Sequence, residues 1–368
     1  MNTPEPPNGP VSPADTRRRR KRKPAWLGGA VLLGLAVLGV LFAFTDIGEL
    51  GRVLAGTELR YLILPLICVA ASYVTMALSY HGIARAAGGH IPFVDMLRIT
   101  LVANSLNYLL ATGGLSGFAA RMYYFTRRSI PPSTAVVISL VQTFLTNISL
   151  LVFILLGFVY VLSSQNIDGT ALVSTVTMVI VFATFALVST ALLFYRRLRR
   201  RSMLLAGRVA YYVISRVRPS SHITIVSLHR YLATLERGIE FLLSRKAQII
   251  APLFFIMLDW VLTILILQTS FTALRYAIPF SQTVVGFSVG IVLSFVSLIP
   301  GGLGVMEGSM AAIFGGMGVP FETAVAAVLL FRMIYYILPL IVSAIFLREM
   351  IDQVRRRDSA SAAPPADR

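Results

Sequence analysis

SLIPGGLGVMEGSM, residues 297–310, places Pro300, Gly301, Gly302 and Gly304 inside otherwise apolar sequence. An uninterrupted membrane helix has no use for them. Proline lacks a backbone donor and glycine adopts conformations closed to other residues, so the pattern predicts a broken helix with Glu307 just beyond the break. Backbone opened at membrane depth has to be buried in protein or line a watery cavity, because lipid offers amides no partner. A broken helix that carries a carboxylate therefore reads as a site.

The same design occurs earlier, in ATGGLSGFAAR at residues 111–121. Gly113, Gly114 and Leu115 match Gly301, Gly302 and Leu303 at an offset of 188 residues, and Pro132 matches Pro320 at that offset. Thr134, Ala135 and Val136 then match Thr323, Ala324 and Val325 at 189. We read these matches as an internal repeat. Interrupted segments in corresponding positions of two halves are the sequence pointer to a transporter binding site.

Composition fixes the class. With 56% hydrophobic residues, 13% charged residues and a mean hydropathy of +0.77, the chain is too apolar for a soluble protein and reads as a polytopic membrane protein. The net charge of +17 sits mainly near the N-terminus, between Arg196 and Lys246, and near the C-terminus. That distribution is orientation charge and anionic-lipid contact, and argues against nucleic acid as a partner. The single Cys68 excludes an intrachain disulfide and a cysteine-based metal site.

Residues 1–25 are polar, basic and proline-rich, and are expected to form a disordered cytoplasmic tail. The run RRRRKRK at 17–23 abuts an apolar stretch at 26–44, long enough to cross about 30 Å of hydrocarbon. Further spans are expected at 61–83, 134–162, 171–195, 249–274 and 321–347. Pro339 is expected to kink the last of them. The arginines at both ends of residues 97–125 imply that the first glycine break is the tip of a re-entrant hairpin. The segment around PGG at 300–302 is its counterpart, entered from the other face. The expected fold is therefore all-α, with about six full spans and two re-entrant broken-helix hairpins in an inverted repeat; counting hairpin arms as spans gives eight. The membrane domain runs over 26–347, its halves at 26–195 and 249–347. Between them a basic cytoplasmic linker, 196–248, carries 12 basic residues against Glu236 and Glu240 from Arg196 to Lys246. Ile225, Leu228, Leu232, Leu235, Ile239 and Leu242 form one helical stripe there, which suits an amphipathic helix on the membrane or bundle, or a short coiled-coil contact. Residues 348–368 are a second disordered cytoplasmic tail. Both termini are placed in the cytoplasm, and the membrane is taken to be the plasma membrane.

Each ionisable group at membrane depth needs a partner or a use, because it costs roughly 2.5–3.5 kcal/mol at the helix centre. Asp259 and Arg332 fall near mid-span, and Arg121 and Glu307 each follow a glycine break. These four are candidate substrate-binding residues, or else pairs that neutralise one another. Asn104 and Asn107 share a face on the arm entering the first break, either lining a cavity or bonding a neighbouring helix. Gly113, Gly114, Pro300, Gly301, Gly302 and Gly304 are the expected hinge positions. No catalytic constellation, cofactor motif or phosphate-binding loop is apparent, so an enzyme is not expected.

PGGLGVMEG at 300–308, GGLSGFAAR at 113–121 and FRMIYYILP at 331–339 resemble the lysylphosphatidylglycerol synthase transmembrane region, a flippase-like family, over roughly residues 32–347. GGLSGFAAR departs from the usual pattern, with Ala111 and Thr112 where a proline commonly precedes the glycines. Larger members fuse this module to a soluble aminoacyl transferase domain. The chain ends at Arg368 without one, so synthase activity is not expected. The resemblance implies a translocator for a polar-headed lipid. Other classes are a membrane partner of a separate glycosyl or aminoacyl transferase, and a proton-coupled small-solute transporter.

Overall fold

The computed structural model describes residues 39, 45–109, 115–128, 130–163, positions scattered between 176 and 244, 246–297, 299 and 302–346. Its described elements are helices. Both tails lie outside the described residues; of the expected span at 26–44 only Gly39 is described, of the linker stripe at 225–242 only Ile239, which is buried, and of the expected span 171–195 only scattered positions.

A short helix α1 (Ile47–Ala55) opens the described chain, with Asp46 accepting the Glu49 N–H at 3.0 Å as its cap. After a single 3-10 turn, Leu59–Leu62, come α2 (Ile63–Ala86), α3 (Phe93–Leu109), α4 (Leu115–Arg127) and α5 (Pro132–Ser163). Then follow α6 (Lys246–Ala273), α7 (Phe280–Ser297), α8 (Val305–Gly316) and α9 (Phe321–Arg332), continued by a π-helical turn, Met333–Ile337. Among the described residues four helical stretches are long and apolar enough to cross a membrane: Leu59–Ala86, Pro132–Gly157, Ala247–Ala273 and Phe321–Phe346. They coincide with four of the six expected spans.

Between these long helices sit two antiparallel pairs, α3 with α4 and α7 with α8. Their second members span only about 20 Å and 18 Å at 1.5 Å per residue, short of the roughly 30 Å of a bilayer core. In the first pair the outer ends are tied by Arg128 and Asp95 at 2.8 Å. The inner ends are tied by Asn107, whose Oδ1 accepts the Gly117 N–H at 2.7 Å and the Ser116 hydroxyl at 3.3 Å. In the second pair small residues set the separation. A Cβ on Gly290 would come within 2.7 Å of Met310 Cε, and one on Gly286 within 2.5 Å of Phe314 Cε1. The break itself needs glycine, since Gly302 has φ +63° and Gly304 φ +79°. Gly113, Gly114, Pro300 and Gly301 lie outside the described residues.

Long helix, paired short helices, long helix: the order α2, α3, α4, α5 recurs as α6, α7, α8, α9. The leading helices of the two sets, α2 and α6, pack along one another. Gly82 meets Pro252 so closely that a Cβ would stand 2.9 Å from Pro252 Cγ. The Ser79 hydroxyl reaches Gln142 Oε1 on α5 and the Pro252 carbonyl on α6, each at 3.0 Å. At the other end of this seam the Glu58 N–H bonds the Ala273 carbonyl at 3.0 Å, and the Glu58 carboxylate takes Arg60 and, at 2.5 Å, Arg275. The Arg60 hydrogen bond, helped by the charge of Arg275, holds this carboxyl below its ordinary range. Its contribution is therefore present at neutral pH and fades as the pH falls through the lowered value.

The glycine break gives a direct test. Gly302→Ala adds a side chain at positive φ that overlaps Ser294, and is expected to lower stability by about 2–5 kcal/mol. Gly308, inside α8 with nothing near its absent Cβ, serves as the control. Gly308→Ala is expected to leave stability unchanged or raise it by about 1 kcal/mol. Thermal melting of both purified variants checks the contrast, and equal melting temperatures would show that the break is not constrained.

Candidate functional site

Gly304 occupies the N-cap of α8, and its left-handed backbone turns the chain into the helix so that Glu307 falls in the first turn. Glu307 is 3% exposed, a buried carboxylate at the end of a helix whose dipole favours negative charge. Arg332, the last residue of α9, comes to it from the side. Its Nε lies 3.0 Å from Glu307 Oε1, and its Nη2 is 3.3 Å from Oε2. The same Nη2 donates to the Gly302 carbonyl at 3.2 Å, so one guanidinium holds both the carboxylate and the opened backbone of the second break. Its face rests on Tyr336, with Cζ 4.4 Å from the ring centre.

The π-helical turn that follows has a chemical cause. Pro339 has no N–H to return to residue 335, and its ring crowds that carbonyl, so the ladder slips and the Leu338 N–H reaches back to Met333. Widening the turn buries Tyr335 and Tyr336 together while Met333 stays exposed.

Around these two phenols lies an aromatic cluster drawn from three other helical segments. Tyr108, in the last turn of α3, stands 4.3 Å from Tyr336 and 6.2 Å from Tyr335, ring centre to ring centre. Tyr73 on α2 is 6.3 Å from Tyr335, and Phe331 on α9 stacks on Tyr335 at 5.5 Å. Tyr336 donates to Met306 Sδ at 3.5 Å. Tyr108 stands at the edge of the first break and Met306 just past the second, so both interrupted segments meet at one cluster.

The remaining candidates divide. Arg121 on α4 is 7% exposed, with its guanidinium carbon 5.0 Å above the Tyr80 ring. Its Nε and Nη1 have no hydrogen-bond partner among the described residues. Asp259 on α6 is 7% exposed and accepts the Ser72 hydroxyl at 2.5 Å. Among the described residues neither forms an ion pair. The structure thus joins Glu307 to Arg332, and among the described residues Arg121 and Asp259 have no charged partner. Asn104 donates to Met76 Sδ at 2.6 Å on the neighbouring α2, and Asn107 is committed to the hairpin cap.

Sequence reasoning did not single out Ser72, Tyr73, Tyr80 or Tyr108. A signal existed for α2: Ser72, Thr75 and Ser79 repeat at three and four along an apolar helix, marking a face that meets polar partners. No such pattern announces Tyr108.

The sequence pattern of the family described as the lysylphosphatidylglycerol synthase TM region matches residues 27–343. A UPF0104 membrane protein of Pyrococcus horikoshii is 22% identical over 328 residues, 86% of this chain and 94% of the relative. Another, from Methanothermobacter thermautotrophicus, is 22% identical over 323 residues, 86% of this chain and 91% of the relative.

The Glu307–Arg332 contact predicts a specific pattern of losses. Removing one partner strands a buried charge, so Glu307→Met or Arg332→Met alone is expected to cost about 3–5 kcal/mol. The double replacement removes both charges and is expected to cost less than Arg332→Met alone. Thermal melting of the three variants checks it; additive losses would mean that the two side chains are not coupled.

Proposed function

The chain belongs to the family of the lysylphosphatidylglycerol synthase transmembrane region, and from that premise we propose that this multi-pass membrane protein is a lipid translocator, moving a polar-headed phospholipid between leaflets. In this reading α3–α4 and α7–α8 are re-entrant hairpins entering from opposite faces, among about six full spans in an inverted repeat. Both termini and the arginine-rich segment from Arg196 lie in the cytoplasm of a plasma membrane, where basic residues contact anionic lipid. The shortness of α4 and α8 and the tie between Asp95 and Arg128 at one end of the first pair support it.

One observation carries the proposal. A guanidinium held 93% buried over an aromatic ring, seven residues past the first glycine pair, has two nitrogens without a partner and no anion beside it among the described residues. The planar fork of Arg121 suits the oxygens of a phosphodiester, and Tyr80 beneath it fixes the plane. A family described as the membrane region of a phospholipid synthase makes a phosphate headgroup the apt ligand. At the second break, Arg332 holds Glu307 and Gly302 in place. A lipid whose headgroup also carries an ammonium would compete with Arg332 for Glu307, and so bear on the backbone conformation at the break.

Leaflet exchange of a fluorescent phospholipid in reconstituted vesicles tests this. Arg121→Lys replaces a fork by a point charge and is expected to slow exchange about tenfold, or about 1.4 kcal/mol, with Arg121→Gln slower still. Full exchange by well-folded Arg121→Gln would overturn the reading.

A further inference from the structure

Asp259 sits near the middle of the Ala247–Ala273 span, 7% exposed, and its environment is unusual for an ionised carboxylate. Among the described residues its side chain has one donor, the Ser72 hydroxyl at 2.5 Å, and no ion pair. The described elements packed on α6 offer little compensation. Helices α5 and α7 contain no acidic, basic or histidine residue. On α2 the titratable groups are Cys68, Tyr73, Tyr80, His81 and Arg85; on the 3-10 turn, Tyr61 and Arg60, the latter bound to Glu58. On α9 they are Glu322 and Arg332, the latter bound to Glu307, and on the π turn Tyr335 and Tyr336. Among the described residues the groups within electrostatic reach of Asp259 are the phenols of Tyr73, Tyr108 and Tyr335, neutral hydroxyls that give it no countercharge.

A buried carboxylate without a cation is relieved by taking up a proton. We propose that Asp259 is a proton-carrying site whose protonation changes the seam between α2 and α6, and thereby couples proton movement to the working cycle. The proton comes from water and returns to water, so nothing is oxidised or reduced and no covalent bond of the chain breaks. In the ionised state the Ser72 hydroxyl donates across the seam to Asp259. Once protonated, the Asp259 O–H becomes the donor and the Ser72 oxygen the acceptor. The Ser72 hydrogen is then free to turn to a carbonyl of its own helix, as Thr263 does to the Asp259 carbonyl at 2.8 Å and Ser270 to that of Ile266 at 2.7 Å. A charge-assisted bond across the seam becomes a neutral one of about half the strength. Because α2 and α6 lead the two corresponding sets of helices, a change between them bears on the disposition of both broken segments.

The site is tested apart from lipid movement, on which only its use rests. Infrared difference spectra of the full chain in phosphatidylcholine vesicles, taken across a pH titration, are expected to show a protonated-carboxyl band that appears on acidification. That band should be lost in Asp259→Asn and kept in Glu307→Gln. Asp259→Glu should retain a titrating band at a displaced frequency, which covers an Asp259→Asn protein that fails to fold. Ser72→Ala should displace the midpoint, because the ionised form has lost its donor. The absence of a titrating band in the wild type, or its persistence in Asp259→Asn, would overturn the proton site. Absence of phospholipid exchange in the same wild-type vesicles would instead count against the translocator reading and leave the band unaffected.

Discussion

The contact on which the second half of this membrane domain depends is the one from the Arg332 guanidinium to Glu307 and the Gly302 carbonyl. Taking two ions out of water is costly, and the pair is tolerable only because each finds good geometry and further partners. The carboxylate has the amino end of α8, and the guanidinium has a backbone oxygen and the face of Tyr336. In return, the opened chain at the glycine break has one of its stranded carbonyls satisfied by a side chain that cannot be neutralised at physiological pH. The break, the ion pair and the π turn are therefore one construction. The π turn places Tyr336 under Arg332, and Pro339 accounts for the π turn.

From that construction the structure reaches the other half of the chain through phenols. Tyr336 meets Tyr108, which closes α3 just before the first break, and Tyr335 meets Tyr73 on α2. Tyrosine suits this position. Its ring packs as an apolar body in the core, and its hydroxyl offers hydrogen bonds without adding charge where charge is expensive. The four charges thus divide by chemistry: Glu307 and Arg332 pair and hold backbone, whereas among the described residues Arg121 and Asp259 form no ion pair.

Much of the fold was legible because the bilayer imposes simple rules. Four of the expected spans coincide with long apolar helices, and the glycines at 302 and 304 announced the break whose left-handed backbone the structure contains. Glu307 and Arg332 were legible as charges that needed a use. Their pairing was not, since 25 residues of chain separate them and nothing in their local sequence names a partner. Asn107 shows the same limit. Sequence spacing put it on one face with Asn104, but only the turn between α3 and α4 brings Gly117 within reach of its oxygen. Ser72 and Asp259 meet across 187 residues, a contact made by the packing of two helices and not by any local pattern.

The central claim is that the buried fork of Arg121 is kept for a phospholipid phosphate. Mass spectrometry of lipid that copurifies with the wild type and with Arg121→Gln, prepared from the same membranes in the same detergent, addresses it most directly. The account predicts that the wild type retains a phosphodiester lipid enriched over the surrounding membrane, and that Arg121→Gln loses that enrichment while keeping its fold. An identical lipid profile for the two folded proteins would contradict it.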